Sequence, residues 1–399
     1  MSGTRAGNHR SSIYRDPNGI WHGWVTMGRD ASGKTVRRHV RGKTATDVAD
    51  KVAQLEAQRN GSAGRTAVAG KTTVGEWLDE WLRIILRTRA PRTYESYESL
   101  LRVHCRPIRR IHLSKLTVND IDDLLEQVAT TSSPSRASTL HRALRSCLNV
   151  AVKRSALQAN PCKYAAVPQT EEPEIEPFTI DETRRVLAAA SKVRNSARWS
   201  VALALGLRQG EALGLKWADL NPQTGTLQVR RQLQRLRYRH GCGQTEYDHK
   251  PARCPMREGG GLVFRERTKS KSRRVVGVPE RLEALLREQR RSQAAERLAA
   301  GPAWVEHDLI FPQPNGKPMD PRGDARAWKK ILMAAGVRDA RLHDARHTNA
   351  TLLLAQGIDG RIVMSLLGWS QAVLLTRYQH VIDPMRQEAA ERVGKAIWG

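Results

Sequence analysis

Nowhere does this chain carry an apolar run long enough to cross a bilayer, and it has no basic amphipathic anchor, so no membrane role is expected. The N-terminus, Met1-Ser2-Gly3-Thr4-Arg5, lacks the apolar stretch of a signal peptide. Cysteine is sparse. Its five residues, an odd number with no Cys-x-x-Cys pair, argue for free thiols in a reducing compartment, and the expected location is the cytoplasm. Acidic residues are also in short supply: 40 Asp and Glu stand against 67 Lys and Arg, giving a formal charge of +27 that is spread along the chain. Such an excess repels itself in the free protein, so a polyanionic partner, nucleic acid first, is its natural complement. A length of 399 residues favours two or three domains, because single cores rarely grow past about 250–300 residues.

Turn and linker signals divide the chain. Ser12-Ile13-Tyr14-Arg15 precedes the turn Asp16-Pro17-Asn18-Gly19, an apolar-polar run from 20 to 27 precedes a second turn at Asp30-Ala31-Ser32-Gly33, and a third strand covers 35–41. A helix capped near Thr44 or Thr46 then runs to about Gln58. Residues 1–62 therefore read as a small module of three strands and one helix. Trp21 and Trp24 are expected in its core, with Arg37, Arg38, His39 and Arg41 placed to lie against DNA. After the Gly61-Ser62-Ala63-Gly64 linker, Val74, Trp77, Leu78, Trp81, Leu82 and Ile85 fall at helical spacing, and three further helix signals follow, so 72–166 reads as an all-helical bundle. Residues 167–177, with three prolines and four glutamates, are a linker to a last domain spanning 175–399.

The chemistry is concentrated in that last domain. In Leu342-His343-Asp344-Ala345-Arg346, a histidine and an arginine at i and i+3 share one helix face, placing a fixed cationic fork beside a group that exchanges a proton near neutrality. That pair suits a phosphate whose charge grows during reaction, and Tyr378, past Gly368-Trp369, offers a hydroxyl to attack it. A second fork, Arg208, stands between Gly206 and Gly210, which allow a tight turn around it; Glu211, three residues on, can hold its guanidinium in orientation. Residues 226–235 have the character of a strand leading outward, and Leu262-Val263-Phe264 that of a return strand towards Thr268-Lys269-Ser270-Lys271. Between them lies an insertion, 240–255, with Cys242, His249 and Cys254 as potential zinc ligands beside His240. Their irregular spacing argues against metal, and a disordered or DNA-facing loop is expected instead. Met385, Ala389, Val393 and Ile397 form one apolar stripe near the end of the chain.

Two arginines, a lysine, a histidine and a terminal tyrosine in this arrangement resemble the tyrosine site-specific recombinases, the phage integrase family. The resemblance covers nearly the whole chain and is sharpest from Phe178 onward. It implies a multidomain fold: the small α+β three-stranded module binding arm-type DNA sites, the all-α bundle as a core-binding domain, and a mainly α (α+β) catalytic domain. It places the catalytic lysine at Lys269, with Lys271 as the alternative, protonating the 5′-oxygen that leaves. Arg208 and Arg346 would clamp the nonbridging oxygens, His343 would take the tyrosine proton or bond the phosphate, and Tyr378 would form a 3′-phosphotyrosine without ATP, metal or other cofactor. Trp369 stands where most members have a second histidine; an indole donates one hydrogen bond and shuttles no proton, so orientation and packing are its expected roles.

The implied partners are double-stranded DNA attachment sites, a homotetramer assembled on DNA through a Holliday junction, and accessory DNA-bending or excision factors. The implied setting is a bacterial cytoplasm, at the nucleoid when bound to DNA. The N-terminal module favours a phage or mobile-element integrase over a chromosome or plasmid dimer resolvase. A type IB topoisomerase would share the chemistry as a monomer, and a catalytically silent DNA-binding regulator is the rival outside enzymes.

Overall fold

The computed structural model describes residues 12–29, 34–60, 72–170, 176–243, 250–266, 274–371, 375, 378, 390–391 and 393–398. The chain divides into two units, Met1–Glu171 and Glu172–Gly399.

The first unit opens with an antiparallel sheet in the order β1 (Ser12–Arg15), β2 (Trp21–Arg29), β3 (Thr35–Gly42), packed on α1 (Ala45–Asn60). Side chains of β2 alternate between its faces, so Val25 meets Val48 and Val52 of α1, with Trp21, Met27 and Val40 around them. At Gly23 a Cβ would lie 2.5 Å from Val52, which is why the helix approaches so closely there. Trp24 points the other way. It is exposed and lies against His39 at 4.5 Å between centroids, next to the stacked Tyr14–His22 and His22–His39 pairs. The expectation that both tryptophans are core thus holds for Trp21 alone, because period two sends 21 and 24 to opposite faces. The outer face becomes an aromatic surface edged by Arg37 and Arg41, which pair in register with Thr26 and His22.

The same unit continues with α2 (Val74–Thr88), α3 (Pro91–His104), α4 (Val118–Thr131) and α5 (Pro134–Lys153). Reciprocal capping boxes at Thr73/Glu76 and Thr117/Asp120 start α2 and α4. The stripe from Val74 to Ile85 is buried as its spacing predicts, joined by Leu101, Leu125, Leu140 and Leu144. Cys105, Cys147 and Cys162 lie in this core, and burial pushes the Cys105 and Cys162 thiols up to about 12, which makes them unreactive.

The second unit is built around α7 (Ser196–Ala204). One side, through Trp199 and Leu203, packs with Phe178 and with Trp328 of α10 (Pro321–Ala334), alongside α6 (Ile180–Ala190). The other side, through Ala197 and Val201, meets Leu227, Val229, Val276 and Leu286 of a sheet and of α9 (Glu280–Ala300). That sheet runs β4 (Leu220–Asn221), β5 (Thr226–Val229), β8 (Arg274–Gly277), all antiparallel; β6 (Gln232–Leu236) and β7 (Gly261–Arg265) form a separate hairpin. The single strand expected over 226–235 is therefore two strands with different partners. The break falls at Arg230 and Arg231, where both guanidinium groups turn to the buried carboxylate of Asp219. Helices α8 (Gln209–Leu213), α11 (Asp344–Ala355) and α12 (Gly360–Leu367) carry the site.

Arg198 of α7 and Asp324 of α10 pair at 3.0 Å with both side chains wholly buried, and Gln209 donates to the same carboxylate at 2.9 Å. Removing one member leaves an uncompensated charge in the core, so Asp324→Ala is expected to lower unfolding stability by about 3–5 kcal/mol in denaturant melts.

Candidate active site

Arg208 owes its position to the way α7 ends. Gly206 takes φ +57°, and a Cβ on it would lie 2.7 Å from Asn349 Oδ1 and 2.8 Å from Leu367, so only glycine fits that turn. The Asn349 amide donates to the Leu203 and Ala204 carbonyls at 3.1 and 2.8 Å, closing α7 from α11. Arg208 then starts α8, whose Gly210 lies so close to β6 that a Cβ would sit 2.7 Å from the Leu233 carbonyl. Both glycines are needed, for different reasons: one for its φ, the other for close approach.

Glu211 is buried and holds two guanidinium groups at once. It accepts from Arg208 Nη1 at 2.8 Å, and from Arg274 Nη1 and Nη2 at 3.1 and 2.7 Å. Burial opposes its ionisation, but the hydrogen bonds and charge of Arg274, with Arg208 beside, outweigh that and bring its pKa to about 2. Spacing along the chain pairs Glu211 with Arg208, as expected; Arg274 carries no such signal, since nothing local links positions 63 residues apart.

A third guanidinium completes the cluster. Arg346, on α11, is buried and donates to the Gly206 carbonyl at 2.8 Å and to that of Leu367, with the Trp369 ring 5.7 Å away. Arg274 Nε donates to the Leu366 carbonyl at 2.9 Å, and Arg208 Nη2 to that of Gly368 at 3.1 Å. Three consecutive carbonyls at the C-terminal end of α12 thus each receive a different arginine, at the negative end of the helix dipole. Gly368, at φ +62°, turns the chain there. Three guanidinium groups and one carboxylate leave a positive surplus that suits a phosphate. Burial, and then the Arg208 charge, lower the Arg346 pKa to about 9, still well above neutrality, so the group stays cationic.

His343 stands at the N-cap of α11, where burial first, and then the charges of His347, Arg346 and Arg208, bring its pKa down to about 4. It is neutral at pH 7 and can donate one hydrogen bond and accept another. One turn on, His347 lies edge-on to it at 4.9 Å between centroids, and His347 Nδ1 is 2.6 Å from the Tyr378 hydroxyl. The histidine beside the tyrosine oxygen is therefore His347, which is absent from the residues expected from the sequence. Its signal was available, since His343 and His347 are separated by four residues and share a helix face.

Tyr378 is 1% exposed, among Ala350, Leu354, Val363 and Leu367, and its ring stacks on Trp369 at 5.5 Å and 22°. Trp369 thus lies near both the Arg346 guanidinium and the tyrosine ring. Lys269 and Lys271 lie outside the described residues, as do His249, Met385 and Ala389. Of the C-terminal stripe, Val393 and Ile397 are described, and both are exposed on a helical stretch at 393–398.

Residues 177–384 match the Phage integrase family. An integrase of Saccharopolyspora erythraea is 38% identical over 99% of this chain and 98% of its own length. A XerC-like tyrosine recombinase of Caldanaerobacter subterraneus is 31% identical over 92% of this chain and 94% of its own. Among solved structures, a lambda integrase dimer bound to a core site superposes with a TM-score of 0.55 at 15% identity, covering 94% of this chain and 96% of that one. The integrase of transposon Tn1549, in complex with circular intermediate DNA, gives 0.61 at 17% identity over 77% of this chain and 95% of that one. The chain belongs to the phage integrase family, the tyrosine recombinases, which makes it an enzyme of site-specific DNA cleavage and rejoining. Among the described residues, no helix is long and apolar enough to cross a membrane.

Proposed function

We propose that this recombinase integrates and excises a phage or other mobile element, cutting each strand through a 3′-phosphotyrosine on Tyr378 and passing through a Holliday junction. The observation that carries this reading is the convergence of Arg208, Arg346, His343, Trp369 and the His347-bonded Tyr378 around the end of α12. A phosphodiester repels nucleophiles by its own charge, and two planar forks on its nonbridging oxygens relieve that repulsion most where charge builds up in the transition state. Neutral His343 bonds the phosphate, and His347 accepts the tyrosine proton as the hydroxyl attacks. Lys269 is assigned proton donation to the leaving 5′-oxygen. The phosphotyrosine keeps the bond energy of the cut strand, so a 5′-hydroxyl of another duplex reseals it without ATP.

The unit ending near residue 171 supplies DNA contacts in this reading. The aromatic-basic outer face of the three-stranded sheet takes arm-type sites, and the helical bundle, with Arg102, Arg106, Arg110, Arg142 and Arg145, grips the core site. A tetramer on DNA is the working assembly; a lambda integrase tetramer bound to a Holliday junction has this overall fold, with a TM-score of 0.54. The exposed Val393 and Ile397 are assigned to a contact between subunits, and accessory bending or excision factors set direction.

The test uses nicked suicide duplexes drawn from the DNA flanking the gene, incubated without added metal and resolved on a denaturing gel. The covalent adduct should form, and its peptide should map to Tyr378 by mass spectrometry. Tight specific binding with no adduct would sink the reading and favour the silent regulator. In the same assay, His347→Gln should slow adduct formation by roughly 10²–10⁴-fold, as loss of a proton acceptor does, with DNA affinity unchanged.

A further inference from the structure

The loop between β6 and β7 contains a fully buried cysteine that belongs to none of the hydrophobic clusters among the described residues. Cys254 is 0% exposed, on the turn after the short helix Pro251–Arg253. Its sulfur lies 3.4 Å from that of Cys242, and Cys242 Sγ lies 3.9 Å from His240 Nδ1. One ligand atom from each of His240, Cys242 and Cys254 comes within 4.8 Å of the others. The two sulfurs are not bonded to each other, being far beyond the ~2.05 Å of a disulfide. Ligand bonds of about 2.3 Å for sulfur and 2.0–2.1 Å for nitrogen, arranged tetrahedrally, would place donors roughly 3.5–3.8 Å apart, and the 3.4 and 3.9 Å separations lie close to that spacing.

We propose that His240, Cys242 and Cys254 bind a structural zinc ion that folds this insertion. Thiolate and imidazole donors in a tetrahedral set select zinc over the hard cations magnesium and calcium, which take oxygen ligands. Three protein ligands leave one position of the tetrahedron for water or a further donor. The two thiols give up their protons on binding, so affinity falls in acid.

The ion has a definite mechanical task. Beyond the β6–β7 ladder, Arg239 and Glu258 exchange two backbone hydrogen bonds of 3.0 and 2.9 Å, and His240 and Cys242 follow the first strand directly. Zinc would tie that arm to Cys254 on the returning arm. The loop displays Lys250, Arg253 and Arg257, cations that an ordered turn presents together. The hairpin it closes packs on α8, the helix of Arg208 and Glu211, through the close approach of Gly210 to Leu233. Zinc thus steadies one wall of the site without touching the reacting phosphate.

In the sequence Cys242, His249 and Cys254 give only a weak metal signal, for want of a Cys-x-x-Cys pair. What was missing was the antiparallel return of the chain, which brings residues 12 apart in sequence to one point.

Full-length protein, purified in reductant without chelator and dialysed against zinc-free buffer, is measured by inductively coupled plasma mass spectrometry. About one zinc per chain is expected. Cys254→Ser and His240→Ala should lose it, while Cys105→Ala, whose thiol lies in the helical core, should keep it. Circular dichroism verifies that the variants remain folded, and competition with a chromophoric chelator measures the remaining affinity. Apoprotein that takes up no added zinc, equal zinc in Cys254→Ser and wild type, or a metal-free protein whose Cys242 and Cys254 are joined in a disulfide would each overturn the assignment.

Discussion

A Tyr378→Phe protein is expected to leave no covalent adduct on a nicked suicide duplex, a loss on the order of 10⁶-fold, as for removal of the nucleophile in other covalent enzymes. Phenylalanine keeps the ring that stacks on Trp369 and the apolar contacts with Val363 and Leu367. What disappears is the oxygen and its 2.6 Å contact with His347. Loss of that partly buried hydrogen bond should cost about 1 kcal/mol, too little to unfold a domain. Binding to attachment-site DNA should stay at the wild-type level in a gel-shift assay. Adduct formation by Tyr378→Phe would mean that another hydroxyl is the nucleophile. Loss of DNA binding along with the adduct would mean that the hydroxyl holds the DNA surface in shape.

The Glu211→Gln protein should lose less activity but far more stability. Glu211 balances two guanidinium groups in a buried cluster that also holds Arg346, so neutralising it leaves three cations facing one another. Its pKa of about 2, against an ordinary value of 4.5, corresponds to roughly 3 kcal/mol in favour of the folded state. The sign follows from a depressed carboxylate: this contribution is complete above about pH 4.5 and is lost as pH falls towards 2. Glu211→Gln should therefore melt earlier in denaturant at pH 7 by about that amount, and its stability should depend less on pH between 4.5 and 2 than that of wild type. Cleavage should fall about 10²–10³-fold, because Arg208 then loses the group that aims it. An unchanged acid limb in Glu211→Gln would show that the carboxylate is not the titrating group.

Together the two variants separate attack from aim. Tyr378→Phe removes the atom that attacks and leaves the cationic cradle intact; Glu211→Gln keeps the attacking atom and loosens the cradle. The cradle itself depends on the exposed end of α12. The Leu366, Leu367 and Gly368 carbonyls are without helical partners, as the last carbonyls of any helix are, and three arginines from separate segments satisfy them. That shared anchor holds the guanidinium groups close enough to act on one phosphate, despite their mutual repulsion.

The sequence by itself determined the features that local rules govern. Apolar spacing put Trp77, Leu78 and Trp81 in the bundle core, and glycines on either side of Arg208 signalled the turn that presents it. The order of Arg208, His343, Arg346 and Tyr378 identified the family's chemistry because each side chain is distinctive in kind. Only the tertiary structure decided which groups meet. It chose His347 over His343 for the tyrosine hydroxyl, brought Arg274 to Glu211, split 226–235 into two strands at the Asp219 ion pairs, turned Trp24 outward, and gathered His240 with Cys242 and Cys254. The physical reason is the same each time. Spacing along a helix or strand fixes which face a residue occupies, whereas a buried charge, a ring or a thiol takes its partner from whatever segment the packing of the whole core brings alongside.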